Sequence, residues 1–231
     1  MNTPYFRKDL HPTTLYLSAD WWESHACETG YAPRPLANDL QNIQRLRLCL
    51  PTGVQPPKGW KLCKTTKLGQ LAVCDKPPVP DVSGFAVRCL PRNTDEFALW
   101  LRLHAELYAE THQDNPVASI DEARYAELFD NGDLHANGII GGFHGNQLNG
   151  ISSLRTGPHD RLELGWSGVP NNKAPMETIH LIAKAAALAK SLGHLSIGVE
   201  ADSTDSTLTI AMSYFEITWQ EEYLTFEQRL C

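Results

Sequence analysis

A chain of 231 residues that is 42% hydrophobic, 20% charged and 9% aromatic is long enough for one large globular domain or two small ones. Its net charge of −7 argues against a dedicated nucleic-acid binder, which needs a basic face to neutralise phosphates. No window approaches the ~18 uninterrupted apolar residues of a membrane helix, and the opening MNTPYFRKDLHPTT lacks the apolar core of a signal peptide, so the expectation is a cytoplasmic protein with neither nucleic-acid nor membrane partners.

Taken in chain order, residues 1–80 carry modest order signals and read as an α/β extension. Thr14–Leu17 is a predicted strand, and Asn38–Leu48 (NDLQNIQRLRL) reads as an amphipathic helix. Trp60–Thr65 and Leu71–Cys74 flank Leu68-Gly69 and predict a hairpin. The seam Lys76–Gly84, KPPVPDVSG, breaks both periodicities and divides the chain into 1–80 and 81–231. The cysteines (Cys27, Cys49, Cys63, Cys74, Cys89, Cys231) are scattered without CxxC or CxxH spacing, so reduced thiols and no metal site are expected.

Beyond the seam the pattern sharpens. Phe85–Leu90 alternates like a strand. Asn93 with Glu96 forms a capping-box pattern ahead of a helix through FALWLRLHAELYAE, whose Phe97, Trp100, Leu101, Leu103, His104 and Leu107 fall largely at helical spacing. Ser119 and Glu122 repeat the pattern ahead of ARYAELF. Gly138–His144 and Leu148–Arg155 flank Gly145-Asn146-Gln147 as a hairpin. Arg161–Val169 is the next strand. Pro175 opens a helix ending near Leu192, with Gly193 as its stop. Leu195–Glu200 (strand), Ser203–Ser213 (short helix) and Glu216–Phe226 (strand or hairpin) complete a β-α-α-β-β-β-α-β-α-β order. The fold class is α/β (α+β), a mixed, mostly antiparallel sheet flanked by helices.

That order, over about 140 residues, resembles the GNAT (GCN5-related N-acetyltransferase) superfamily, of which the chain looks like a divergent member. Local features carry the resemblance. Ser167-Gly168-Val169 stands where the family has a small-residue-plus-valine strand end, Asn171–Met176 where it has a phosphate-binding turn, and Glu177–Leu192 where it has a long helix. Glu163 lies six residues before Val169, the place of the family's general-base glutamate.

The resemblance implies transfer of an acetyl or other acyl group from acetyl-CoA or a related thioester to an amine of a small molecule. Glu163 would be the base. Ser167, Gly168, Val169, Lys173, Ala174, Met176 and Ser203 would contact the donor, and Tyr108, His112 and Trp166 the acceptor. A homodimer also fits.

Each assignment has a plainer counterpart. Glu163 could be a strand carboxylate paired with Arg155 or Arg161, Trp166 a core residue, and Lys173 a solvated loop lysine. His104, Tyr108 and His112 at i, i+4 and i+8 could be ordinary helix surface. His135 and His144 read as structural.

The departures from the family are specific. The turn Asn171-Asn172-Lys173-Ala174-Pro175-Met176-Glu177 has no glycine, contains a proline that cannot donate, and places Glu177 where it would repel an anion. Ile210 occupies the position of the family's general-acid tyrosine, and Tyr214 that of a glycine. Ser203, Tyr214 or water would then serve as acid, or the thiolate would leave unassisted. Two alternatives therefore stand beside the CoA-dependent enzyme: a catalytically eroded binding or regulatory protein, and an acyltransferase using a carrier-protein thioester.

Overall fold

A computed structural model of the chain describes residues 4–25, 30–74, 79–113, 115–119, 121–129, 133–170 and 174–230. The elements are β1 (Tyr5–Arg7), β2 (Thr14–Leu17), α1 (Ala19–His25), β3 (Arg45–Pro51), β4 (Lys61–Ala72), β5 (Phe85–Cys89), α2 (Asp95–Thr111), α3 (Glu122–Phe129), β6 (Leu134–His144), β7 (Gln147–Thr156), β8 (Leu162–Leu164), α4 (Pro175–Ser191), β9 (Ser196–Asp202), α5 (Ser206–Met212) and β10 (Ile217–Arg229). They form two compact units: residues 1–66, 112–119 and 221–231, and residues 67–111 with 120–220.

In the first unit β1 pairs antiparallel with β2, β2 parallel with β3, and β3 antiparallel with β10. Leu15, Leu17, Leu46, Leu48, Leu50 and Phe226 share one face of these strands and bury against Trp22 and Trp60. The helix expected over Asn38–Leu48 is replaced by a short 3-10 turn, Ala37–Leu40, and the start of β3. The sequence Arg45-Leu-Arg-Leu-Cys-Leu also satisfies period two. Its leucines face the core while Arg45 and Arg47 face Glu227 of β10, and this cross-strand partnership decides the conformation.

The predicted hairpin around Gly69 is likewise corrected: Lys61–Ala72 is one uninterrupted strand. Gly69 is there for close approach. A Cβ on it would sit 2.8 Å from the Thr218 carbonyl oxygen and 2.9 Å from the Trp219 ring.

The second unit holds the sheet neighbours β10-β4-β9-β8-β7-β6-β5. β5–β6, β6–β7 and β7–β8 are antiparallel, and β8–β9 is parallel. The division expected at residue 80 does not coincide with these units. The second half of β4 belongs here, and beyond it the Ala72 and Val73 amides donate to the Glu216 and Leu195 carbonyls, both at 2.9 Å. Residues 112–119 belong to the first unit, where the Ala118 amide donates to Leu10 O at 2.9 Å.

Helix α4 lays Ile179, Leu181, Ile182, Ala185, Ala186 and Ala189 on Ile140, Leu154, Leu162, Val169 and Ile197. Its residues follow the helical period and its stop is Gly193, at φ 87°. The opposite sheet face receives α2, whose Trp100 indole donates to Ile140 O at 2.8 Å. The β6–β7 hairpin turns through Gly145-Asn146, as the sequence predicts.

Both expected capping boxes shift. Thr94 Oγ1, and not Asn93, accepts the Phe97 amide at 3.3 Å, while Glu96 turns to Arg88 of β5. Asp121, and not Ser119, accepts the Arg124 amide at 2.8 Å. In each case a polar side chain closer to the first helical turn provides the acceptor.

Because the obstacle at Gly69 is backbone and a fixed indole, Gly69→Val should destabilise the protein by about 1–3 kcal/mol. Thermal unfolding should show a midpoint lowered by several degrees, and an unchanged midpoint would contradict the close-approach role.

Candidate functional site

The site grows from an irregularity in the strand that begins with β8. Leu154 pairs with Leu164, and the Gly165 amide donates to Ser153 O at 2.8 Å. The next contact joins Ile151 to Gly168 through two reciprocal amide–carbonyl bonds of 2.9 Å. One residue of β7, Ser152, therefore faces two, Trp166 and Ser167. This is a β-bulge, which adds local twist and re-aims side chains.

The consequence for β9 is direct. β8 and β9 share the single register pair Glu163↔Gly198, although β9 continues to Asp202. Gly168 spends both backbone groups on Ile151, so pleating directs those of Ser167 and Val169 to the other edge, the side of β9. This is the edge at which the two strands part.

The side chains follow. Ser167 Oγ lies 2.6 Å from Ser152 Oγ and 3.3 Å from the Gly165 carbonyl, and its residue is buried. Its side chain is thus a support, and only its backbone is placed to meet a ligand. Val169 is a core residue under α4. A Cβ on Gly168 would stand 2.5 Å from the Trp166 indole, so this glycine is what lets the ring lie over the backbone.

Trp166 itself is half-buried and meets His104 edge-on at 5.7 Å. It shares the α2 face with Arg155, whose guanidinium pairs with Asp133, donates to Phe129 O at 2.9 Å and lies 4.4 Å over the Phe129 ring. Glu163, directly opposite Arg155, is exposed on this same face. The pairing of Glu163 with Arg155 or Arg161 considered from sequence is not formed among the described residues.

His104 is the residue whose environment the sequence hid most. Expected on the helix surface, it is 3% exposed, ringed by Trp100, Tyr108, Tyr125, Phe129 and Trp166. Its Nδ1 lies 2.6 Å from the Tyr125 hydroxyl, and its Nε2 is buried without a partner. Burial, assisted by the Arg155 charge, pushes its pKa down to about 3, so the imidazole is neutral at ordinary pH. The available signal was its place four residues after Trp100 in the apolar stripe.

Tyr108 stacks on His104 at 6.1 Å in the second unit, and His112 stacks on His11 at 5.5 Å in the first.

On the donor side, Ala174 precedes α4 with no side-chain cap, and Pro175 opens it. The Met176 and Glu177 amides are therefore at the helix end where backbone donors have no intrahelical acceptor. Glu177, expected to repel an anion, is engaged by His144 Nε2 at 2.9 Å. Lys173 and its neighbours Asn171 and Asn172 lie outside the described residues. Ser203 is exposed in the turn after β9, and α5 starts later than expected, at Ser206, where Asp205 accepts the Leu208 amide at 2.8 Å. Tyr214 and Ile210 are both exposed. Among the described residues no cluster of three His, Cys, Asp or Glu is placed to hold a metal, and no helix is long and apolar enough to cross a membrane.

No family model matches the sequence, and neither does any curated protein. Solved structures match in fold. A GCN5-related N-acetyltransferase from Sphaerobacter thermophilus superposes with a TM-score of 0.63 at 11% identity, over 96% of this chain and 75% of that one. A conserved Staphylococcus epidermidis protein of unknown function gives 0.55 at 9%, over 98% and 93%. A tandem GNAT protein from the clavulanic acid biosynthesis pathway gives 0.51 at 15%, over 94% and 75%. The chain thus has a GNAT-like fold, with the mixed, mostly antiparallel sheet that its sequence predicts.

The neutral, buried state of His104 has a pH signature. Its folded pKa lies below the unfolded one, so on acidification the unfolded chain takes up a proton that the folded chain refuses. Its contribution is intact above about pH 6.5 and is lost as pH falls toward 3, amounting to roughly 2–3 kcal/mol at pH 4.5. His104→Leu should flatten the dependence of unfolding free energy on pH in this window. Parallel curves for the two proteins would refute a neutral, buried His104.

Proposed function

We propose that the protein is an acyltransferase that moves an acetyl or related acyl group from a CoA thioester to the amine of a small molecule. The observation that carries this reading is the bulge after Gly165. It turns the backbone groups of Ser167 and Val169 toward an edge that β9 leaves after Glu163. A pantetheine arm can add to such an edge as a strand would, its amides pairing with exposed backbone groups. The thioester carbonyl would then lie beside the bulge, within reach of a backbone N–H that polarises it. The Met176 and Glu177 amides and the positive end of α4 are suited to the donor's phosphates.

The acceptor amine would approach from the α2 face, where Trp166 provides an apolar wall. Glu163, exposed on that face three residues before the bulge begins, is the proposed base. It removes the ammonium proton, directly or through water, and frees the nitrogen lone pair. The amine nitrogen then bonds to the thioester carbon. The C–S bond breaks as the tetrahedral intermediate collapses, and the second proton of the attacking nitrogen passes to the departing thiolate, through water or through exposed Tyr214, leaving the neutral amide and the free thiol. Trp166 and Glu163 are thereby assigned to the acceptor and to proton transfer, and Tyr108 to the second layer behind them through His104.

Two measurements test this. Millimolar acetyl-CoA should raise the melting temperature of the intact protein by mass action, and CoA should do so as well. A shift with a pantetheinylated carrier protein alone would move the donor assignment to that class, and none with any of the three would refute the reading. Once an acceptor is found, Glu163→Gln should lower kcat/KM about 10²–10⁴-fold at neutral pH while preserving the acetyl-CoA shift. Unchanged kcat/KM would remove Glu163 from the mechanism.

A further inference from the structure

A second site suggests itself on the first unit, on the sheet face opposite its leucine core. Alternation along β2, β3 and β10 places Thr14, Tyr16, Arg45, Arg47, Thr225 and Glu227 on that face. Glu227 is the carboxylate among them, and its oxygens are taken. Oε2 accepts from Arg47 at 2.9 Å (Nε) and 2.7 Å (Nη2), and Oε1 accepts from Arg229 Nε at 3.0 Å. Despite its burial, these arginines hold the Glu227 carboxyl below its ordinary pKa, so it is an anion.

Arg45 is left over. It is 9% exposed, its Nη1 stands 3.9 Å from Glu227, beyond hydrogen-bond range, and neither Nε nor Nη1 has a hydrogen-bond partner. Thr14, its register partner, is no acceptor for it, because the Thr14 hydroxyl donates to Asn115 Oδ1 at 2.5 Å. Any further partners of Arg47 or Arg229 leave these two Arg45 atoms as they are.

A buried guanidinium with two idle donors is costly, and the chemistry that satisfies it is a second oxyanion. The surroundings favour that charge. Arg47, Lys64 and Arg45 all act on Tyr16, and Lys8 lies 4.6 Å over its ring. The Tyr16 oxygen already accepts from Asn115 Nδ2 at 3.0 Å, so its own proton is available to donate. His11, whose Nδ1 lies 3.0 Å from the Asn115 carbonyl, is pushed down to about 4, mainly by burial, and adds no charge at neutral pH.

We propose that Arg45, flanked by Arg47 and Tyr16, binds a small oxyanion, the carboxylate or phosphate group of a metabolite, at a site separate from the bulge of the second unit. Binding forms no covalent bond. The anion accepts from an idle Arg45 donor, Nε or Nη1, and adds the Tyr16 hydroxyl as a further donor.

The test uses the full-length protein titrated with inorganic phosphate or with acetate, against sodium chloride at matched ionic strength. The Arg45 Nε–Hε resonance should shift along a saturable curve with at least one anion. Saturation by phosphate alone, or by acetate alone, identifies the headgroup class. The melting temperature should rise in step. Arg45→Lys keeps the charge but lacks the Nε and Nη1 donors and should weaken binding at least tenfold, whereas Lys61→Met on an exposed position should leave it unchanged. A wild-type Arg45 resonance that moves no more with phosphate or acetate than with chloride would overturn the proposal, as would equal binding by Arg45→Lys.

Discussion

One extra residue in the strand following β8 governs what the second unit can do. Had the pairing stayed in step, Ser152 would face one residue, and the edge beyond Gly165 could continue to pair with β9. The bulge prevents this. It commits Gly168 to β7 with both backbone groups and turns those of Ser167 and Val169 the other way. It also sets Ser167 against Ser152 on the α4 face and Trp166 against His104 on the α2 face, two consecutive side chains on opposite sides of the sheet. A single insertion thus accompanies the parting of the strands and the placing of Trp166, the proposed acceptor wall, on the α2 face.

Small side chains make the insertion possible. A Cβ on Gly165 would fall 1.9 Å from Ser153 Oγ, and one on Gly168 would enter the Trp166 ring. On the α2 face the indole is held from behind by a layer in which Tyr125 bonds His104 and Phe129 packs on its imidazole at 4.4 Å. Such a layer is stiff because its polar members are dry: moving His104 would break its hydrogen bond without water to replace it. A wall of this kind suits chemistry in which a nucleophile must be held in attack geometry.

Much of this was legible in the sequence, and for an identifiable reason. The second unit is built of long elements with clear periods, and its stops are chemically explicit: Gly145-Asn146 in the hairpin, Pro175 and Gly193 on α4. The order of elements could be read from those signals. The first unit was misread where two periods were both satisfied. NDLQNIQRLRL fits a helix as written, and only the cross-strand partner Glu227, some 180 residues away, makes the period of two decisive. Gly69 was taken for a turn because a glycine needed for a neighbour's approach carries the same letter as one needed for a positive φ. His104 was hidden for a related reason. A histidine on an apolar stripe does not announce its partner, and Tyr125 lies on another helix.

His104 and Arg45, each with idle buried nitrogen, illustrate how differently burial acts on a group that can shed its charge and one that cannot. His104 sheds its proton, and its orphaned Nε2 then costs what a neutral donor or acceptor costs. The guanidinium of Arg45 has no such escape, since it stays charged at any ordinary pH. Its neighbour Glu227 cannot compensate it, because Arg47 and Arg229 already hold both carboxylate oxygens. An imidazole with one nitrogen left idle is therefore compatible with a purely structural role behind Trp166. A guanidinium with two idle buried donors is not so easily accommodated by packing, and this asymmetry makes Arg45 the stronger pointer to a ligand.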